Sequence, residues 1–433
     1  MGVNQSEEKG DYMNTTQIVA LVIFVATMSL IMTEKVHRMT AAIAGSLAMI
    51  LSGILTIESG MHCIDADTIC ILVGMMLFVG VVKKSGLFEY TAIKAAKLSR
   101  GNPWIIMVTF IIITAFLSAF LDNVTTVLLI GPMTYAITRA MKLNPVPYIM
   151  TQIMASNIGG TATLIGDPPN IMIGSAAHLS FMDFIKNVGP PVIFVLGAVI
   201  LIFYFLYGKK LPGAEHMQEV MNMDEKTQIH DRTLMIKSLV MIAILILAFI
   251  FQDFIGLSSA FIALFCATVM LIIGKQNVDE VVESVEWPTI VFFVGLFVIV
   301  GGLKESGLID LMANAIVDVT SGNMLLTIIV ILWVSALLSS FLDNIPFVAT
   351  MIPLITALSQ MGVDVMPLWW SLSLGACIGG NGTLIGASAN VVLSGISARE
   401  GHPITFAQYF KVGFPIMLVS IAICMVYLII RYA

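Results

Sequence analysis

"SAFLDNVTT" at residues Ser118–Thr126 and "NIGGTATLIGDPPN" at Asn157–Asn170 return later as "SSFLDNIPF" at Ser339–Phe347 and "CIGGNGTLIGASAN" at Cys377–Asn390. The offset is 343 − 122 = 221 at the aspartate and 379 − 159 = 220 at the first glycine, so the chain carries an internal duplication. In each copy an Asp-Asn pair interrupts one apolar stretch and a segment rich in Gly and hydroxyls interrupts the next.

The chain around these motifs is 58% apolar and 11% charged, with a mean hydropathy of +0.98, the composition of a polypeptide whose solvent is mostly lipid. The formal net charge of −6 decides little, because orientation in a bilayer follows the placement of Lys and Arg, and nucleic acid is not an expected partner. Glu7, Glu8 and Asp11 stand where a cleavable signal would be basic, so the first apolar stretch is expected to remain as a span. Cys63, Cys70, Cys266, Cys377 and Cys424 lack CxxC spacing and read as small buried hydrophobes, with neither a zinc site nor a disulfide framework. Cys377, beside the second interrupted segment, could alternatively meet a thiophilic substrate.

Apolar stretches of spanning length open with Gln17 to Thr33, Met39 to Ile57 and Thr68 to Val82. Leu87 to Leu98 interleaves apolar and charged residues, as an interfacial helix or a solvated loop helix does. Trp104 to Thr138 as one helix would reach roughly 52 Å, well past a hydrocarbon core of roughly 30 Å. A re-entrant hairpin instead places Asp122 and Asn123 at mid-membrane depth, and the basic residues on both flanks require the chain to return. Pro147 to Ala177 then crosses with a broken centre, and Val188 to Tyr207 returns.

Leu234 to Gln252, Ser258 to Gly274, Thr289 to Leu303, a hairpin at Asn323 to Ser359, a broken span at Met366 to Ser394 and a last span at Lys411 to Ile430 repeat that order. The expected fold is an all-α polytopic membrane protein of two inverted repeats, about ten transmembrane helices plus two re-entrant hairpins. Residues 1–16 form a polar N-terminus, 17–207 the first repeat, 208–233 a cytoplasmic linker and 234–433 the second repeat. With both termini outside, only Lys9, Lys186, Lys304 and Arg431 lie outside, leaving 21 − 4 = 17 basic residues inside.

Inverted repeats with matching interruptions are the signature of a secondary transporter whose site lies where the halves meet. Broken helices present N–H groups at one new end and carbonyls at the other, facing ions without burying a full charge. Gly159, Gly160, Gly379 and Gly380 suit unwound backbone, or else close helix packing. Asn157, Thr161, Thr163, Asn170, Asn381, Thr383, Ser388 and Asn390 offer neutral ligands, as do Asn123, Thr125, Thr126 and Asn344 at the hairpins. Asp122 and Asp343 are the sharper candidates, since a carboxylate in the bilayer needs a cation, a proton or hydrogen-bond donors; each either carries an ion, caps its hairpin helix, or does both. Asp167 lies in "GDPPN" where the second copy has Ala387, and it adds selectivity or initiates a Pro turn.

"LSAFLDNVTTVLLIGP", "NIGGTATLIGDPPN", "WVSALLSSFLDNIPFVATMIP" and "GACIGGNGTLIGASANVV" resemble the arsenite permease and melanosomal P-protein branch of the ion transporter superfamily, over nearly the whole chain. The resemblance implies a homodimer whose transport domain of hairpins and broken helices moves elevator-fashion against a scaffold. In the related dicarboxylate carriers the hairpin tip reads Ser-Asn-Thr, whereas here Asp122 and Asp343 take the Ser positions. An ionised Asp repels a dianion and suits a cation, while a protonated one tolerates neutral arsenous acid or a small anion.

The expected function is secondary transport of a small inorganic ion or metalloid, coupled to protons or sodium, with arsenite or antimonite efflux as the first substrate. Sodium-proton antiport is the second reading, followed by an anion transporter or channel of P-protein type. An intramembrane aspartyl protease also needs two membrane aspartates, but no GxGD motif surrounds either one here. No cofactor is expected beyond the coupling ion, and the expected location is a prokaryotic cytoplasmic membrane.

Overall fold

A computed structural model describes residues 13–33, 35–100, 102–211, 221–320 and 322–432. Glu7, Glu8, Lys9, Asp11 and residues 212–220 of the expected linker lie outside the described residues. The described residues form 22 α-helices joined by short connections. The first half comprises α1 (Thr15–Thr33), α2 (Arg38–Leu51), α3 (Ile57–His62), α4 (Ala66–Lys83), α5 (Leu87–Leu98), α6 (Pro103–Ser118), α7 (Asn123–Ala140), α8 (Val146–Thr161), α9 (Pro168–Ala177), α10 (Phe181–Asn187) and α11 (Gly189–Leu206). The second comprises α12 (Arg232–Ile250), α13 (Gln252–Ile255), α14 (Ser259–Gly274), α15 (Val278–Glu283), α16 (Trp287–Glu305), α17 (Leu308–Thr320), α18 (Met324–Phe341), α19 (Asn344–Gln360), α20 (Met366–Gly379), α21 (Ser388–Arg399) and α22 (Phe406–Tyr432).

The two orders run in parallel, and so does the packing. Helix α6 lies along α8 as α18 lies along α20, while α4 packs on α14 as α16 packs on α2. In these last two contacts the halves exchange partners. A glycine marks each: a methyl group added at Gly74 would sit 2.8 Å from the backbone of Ala263, and one added at Gly295 would sit 2.8 Å from that of Ala42. Only glycine permits helices to approach that closely. Large apolar side chains such as Phe194, Phe254 and Ile430 face outward, as lipid contact requires, and the chain is an integral membrane protein.

Several expectations are revised. Seven helices of the described residues are long and apolar enough to cross a bilayer, one of them α18 in the second hairpin; α2, α6, α14 and α19 are apolar but shorter. The second span ends early because Ser52 and Gly53, the latter at φ 76°, turn the chain. A capping box of Thr56 and Ser59 then starts α3. Helix α5 buries one face, Leu87, Phe88, Ala92, Ile93, Ala95 and Ala96, against its neighbours and leaves Lys94 and Leu98 exposed on the other. Its counterpart α17 was not anticipated.

Candidate functional site

Each Asp-Asn pair lies at the turn of a helical hairpin. Asp122 caps α7, accepting from the backbone N–H of Thr125 at 2.8 Å and from the Thr125 hydroxyl. Asp343 caps α19, accepting from the Ile345 N–H at 3.0 Å. Capping is thus a role both aspartates perform, because a helix start leaves N–H groups without partners. The Thr126 hydroxyl is buried without a hydrogen-bond partner.

The interruptions are shorter than the sequence implies. Helix α8 runs through Asn157, Gly159, Gly160 and Thr161, and only residues 162–167 leave helical geometry before α9. In the second copy α20 ends at Gly379 and a 3-10 turn carries Gly380 to Gly382. Gly159 and Gly379 are therefore packing glycines: a methyl group would meet the Ala115 carbonyl oxygen at 2.0 Å in one copy and Ala336 at 2.7 Å in the other. Gly160 and Gly380 each face the carbonyl across their own break, Gly166 and Gly386 respectively.

The breaks are held by matching hydrogen bonds. Asn170 donates to the carbonyls of Thr161 at 3.0 Å and Thr163 at 2.9 Å, and Asn390 donates to those of Gly380 at 2.7 Å and Thr383 at 2.9 Å. Each of these carbonyls at the new helix ends thus already accepts one side-chain amide, leaving its second lone pair for another donor or ion. Thr163 and Thr383 tie their breaks to the hairpin turns through the carbonyls of Ala119 and Ser340. Thr161 bonds back to the Asn157 carbonyl at 2.7 Å, and Cys377 is buried with its thiol 3.5 Å from Asn170 Oδ1.

Between the copies runs a chain of amides. Asn157 donates to Asn381 Oδ1 at 2.9 Å and to Asn390 Oδ1 at 2.8 Å, and Asn381 donates to the Met154 carbonyl at 3.3 Å. Asn123 donates to Asn157 Oδ1 at 3.3 Å and to Asp167 Oδ1 at 3.2 Å. From the other hairpin, Asn344 reaches the same Asp167 carboxylate at 3.3 and 3.4 Å. Asp167 is fully buried and makes no side-chain cap on α9; the turn is formed by its backbone carbonyl, which accepts from the Asn170 N–H. Its carboxylate is instead the point where the two hairpin tips meet.

A void of about 20 Å³ lies there, lined by Asp122, Asn123, Asp167, Asn344 and Ser388 from the duplicated motifs. That is room for one water or one small bare ion. Three further polar residues line it that were not singled out from sequence: Arg38, Glu286 and Thr289. Arg38 donates to Ser388 Oγ at 2.6 Å and to Thr289 Oγ1 at 2.9 Å, and lies 3.9 Å from Asp343 Oδ2. Ser388 in turn donates to Asp343 at 3.0 Å, and Thr289 donates to Glu286 at 3.1 Å. A signal for Glu286 existed in the spacing, because Asp65 and Thr68 precede Glu286 and Thr289 by 286 − 65 = 221 and 289 − 68 = 221. Arg38 read as one more basic residue at a span end.

Two larger pockets lie at opposite ends of the α2 and α16 pair. One of about 360 Å³ is lined by His37, Arg38, Asp343 and Ser388 among apolar residues; the other, of about 670 Å³, is lined by His62, Asp65, Asp67, His178, Lys304 and Glu305 among others.

With this geometry in hand, similarity to known proteins identifies the class. Residues 28–375 match the family described as Citrate transporter. An uncharacterized transporter of Mycobacterium tuberculosis is 41% identical over 424 residues, covering 96% of this chain and 98% of that protein. The human P protein is 33% identical over 504 residues, covering 96% of this chain and 60% of the relative, which bears out the resemblance to the P-protein branch. The solved YdaH transporter of Alcanivorax borkumensis shares the fold, with a TM-score of 0.60 at 16% identity, covering 96% of this chain and 98% of that one. These relatives remove the protease reading, and the chain belongs to the citrate transporter family of membrane transporters.

Proposed function

We propose that this chain is a secondary active transporter of a small inorganic ion or metalloid, coupled to protons or sodium through the carboxylates at the hairpin tips. The observation that carries this reading is the charge balance of the tip void, where Asp122, Asp167 and Glu286 face one basic side chain, Arg38. Asp343 stands just beyond it. A site with more carboxylates than fixed cations takes up protons or cations, since unpaired charge in a membrane interior costs several kcal/mol. The void has room for one small ion and the amides around it can follow either charge state.

Arsenite or antimonite efflux remains the first substrate to test, because neutral arsenous acid meets no repulsion at such a site. Sodium-proton antiport is the second reading, favoured by the same excess of carboxylates. Citrate, named in the family description, is the third; as a trianion it would need neutralising before approaching Asp122, Asp167 and Asp343. Pockets at both ends of the α2 and α16 pair, with the tips between them, suit alternating access. This reading includes inverted repeats moving as an elevator within a homodimer, in a bacterial cytoplasmic membrane.

Flux into proteoliposomes under imposed proton and sodium gradients tests it. Arsenite or citrate movement driven uphill by either gradient establishes coupled transport, and sodium-driven proton movement without either solute establishes antiport. Solute movement that only follows its own gradient means a channel, and no flux in any arm rejects the proposal.

A further inference from the structure

Arg38 is the first residue of α2, where a positive charge faces the unpaired N–H groups of a helix start and is disfavoured by the helix dipole. Its position is accounted for by what the side chain reaches. On one side it is anchored to α16, through Thr289 at 2.9 Å and with the guanidinium 5.5 Å from the centre of the Phe292 ring. On the other it holds Ser388 at 2.6 Å, at the start of α21, and Asp343 at 3.9 Å, at the tip of the second hairpin. One side chain thereby joins the α2 and α16 pair to the broken helix and the hairpin.

Its place among the cavities is equally specific. Arg38 and Ser388 are the two residues that line both the pocket of about 360 Å³ and the tip void of about 20 Å³. They form the partition between a space open to small solutes, on whose wall Asp343 lies, and the carboxylates of Asp122, Asp167 and Glu286 behind it. The other tip has no equivalent, because the residue 221 positions after Arg38 is Ser259, which bonds to Gln252.

We propose that Arg38 is a tethered cation that occupies Asp343 on the pocket wall and closes the tip void: an alkali cation arriving from the pocket must displace the guanidinium from Asp343 before it passes to Asp122, Asp167 and Glu286. The inference rests on the cation-coupled reading above and adds a specificity-setting residue to it. An arginine keeps its charge at any physiological pH, so the side chain must move and cannot be neutralised. The empty site therefore never presents a bare Asp343, which suppresses movement without cargo. Competition from the resident charge also weakens cation binding, by about tenfold where the paired state holds about nine-tenths of the population.

Thermal unfolding of the purified full-length protein in detergent, titrated with sodium or lithium chloride against choline chloride at constant ionic strength, tests the proposal. Arg38→Gln is expected to lower the midpoint of cation-dependent stabilisation about tenfold. Arg38→Lys keeps a charge and is expected to stay near the native midpoint. The Gln effect should vanish when Asp343→Asn is already present. A purely structural role would shift the melting temperature without cation and leave the midpoint alone. If Arg38→Gln does not fold, Ser388→Ala removes the bridge between Arg38 and Asp343 and should move the midpoint in the same direction by less. A native protein that responds to cation, with a midpoint unchanged or raised in these variants, overturns the role of Arg38 and leaves the proposed function standing. Absence of any cation response in native and variant proteins overturns the inference together with the sodium arm of that function, leaving the proton arm to the flux assay.

Discussion

The two hairpin tips share a sequence and differ in charge environment. Asp122 and Asp343 each cap the second hairpin helix, and Asn123 and Asn344 each reach Asp167. Yet Asp343 has Arg38 and Ser388 beside it, while Asp122 is held by Thr125 and shares the tip void with Asp167 and Glu286. The repeated motifs frame both tips alike, yet one tip carries an ion pair and the other a cluster of acids. Position in the frame sets geometry, while the unduplicated residues set charge.

The largest effect should come from erasing the asymmetry at the breaks. Ala387→Asp puts a second buried carboxylate where the copy of Asp167 would be, and without donors for it the cost is several kcal/mol, read as a large fall in melting temperature or loss of protein from the membrane. The converse change, Asp167→Ala, should leave a folded protein whose gradient-driven flux is lost. At the tips, Asp122→Asn should reduce coupled flux at least about tenfold, the equivalent of about 1.4 kcal/mol. Asp343→Asn should cost less coupling but more stability, about 1–2 kcal/mol, because it leaves Arg38, more than a quarter exposed, without its carboxylate. Equal coupling losses at the two tips would abolish the distinction drawn here. Asn123→Ala and Asn344→Ala each remove a donor from Asp167 and should each cost about 1 kcal/mol, the usual worth of a single hydrogen bond.

The smallest effect concerns the amphipathic helices. Lys97 of α5 pairs with Glu225, whereas the residue at the matching position of α17 is Asp318. The hydrogen bond from Lys97 holds the Glu225 carboxyl below its ordinary range. Stability from this pair is present above the usual glutamate value and is lost as pH falls through the lowered one. Glu225→Gln should therefore flatten a slight acid dependence of unfolding, and a profile unchanged by it would mean the pair is screened to nothing.

Much of the frame could be read from the chain because its cause is local and repeated. Apolar length, the Asp-Asn turns and the Gly-rich breaks recur at offsets of 220 or 221, and each is a helix start or stop with a short-range reason. What was misread depended on partners distant in sequence. Gly159 and Gly379 leave unwound backbone and close packing both open until Ala115 and Ala336 are seen pressed against them. Asp167, beside two prolines, looks like a turn residue until both hairpin amides are seen on its carboxylate. Arg38 at a span end is indistinguishable from an orientation charge until Ser388, 350 positions later, is found beneath it.

The exchange of helices at Gly74 and Gly295 bears on how the chain is built. As synthesis proceeds, α2 and α4 emerge long before α16 and α14, the surfaces that complete them. The first half must wait in the bilayer with the α4 face at Gly74 and the α2 face at Ala42 uncovered, a slow and vulnerable interval in assembly. For the same reason a chain of half this length would leave those faces open, and could close them only by meeting a second copy of itself.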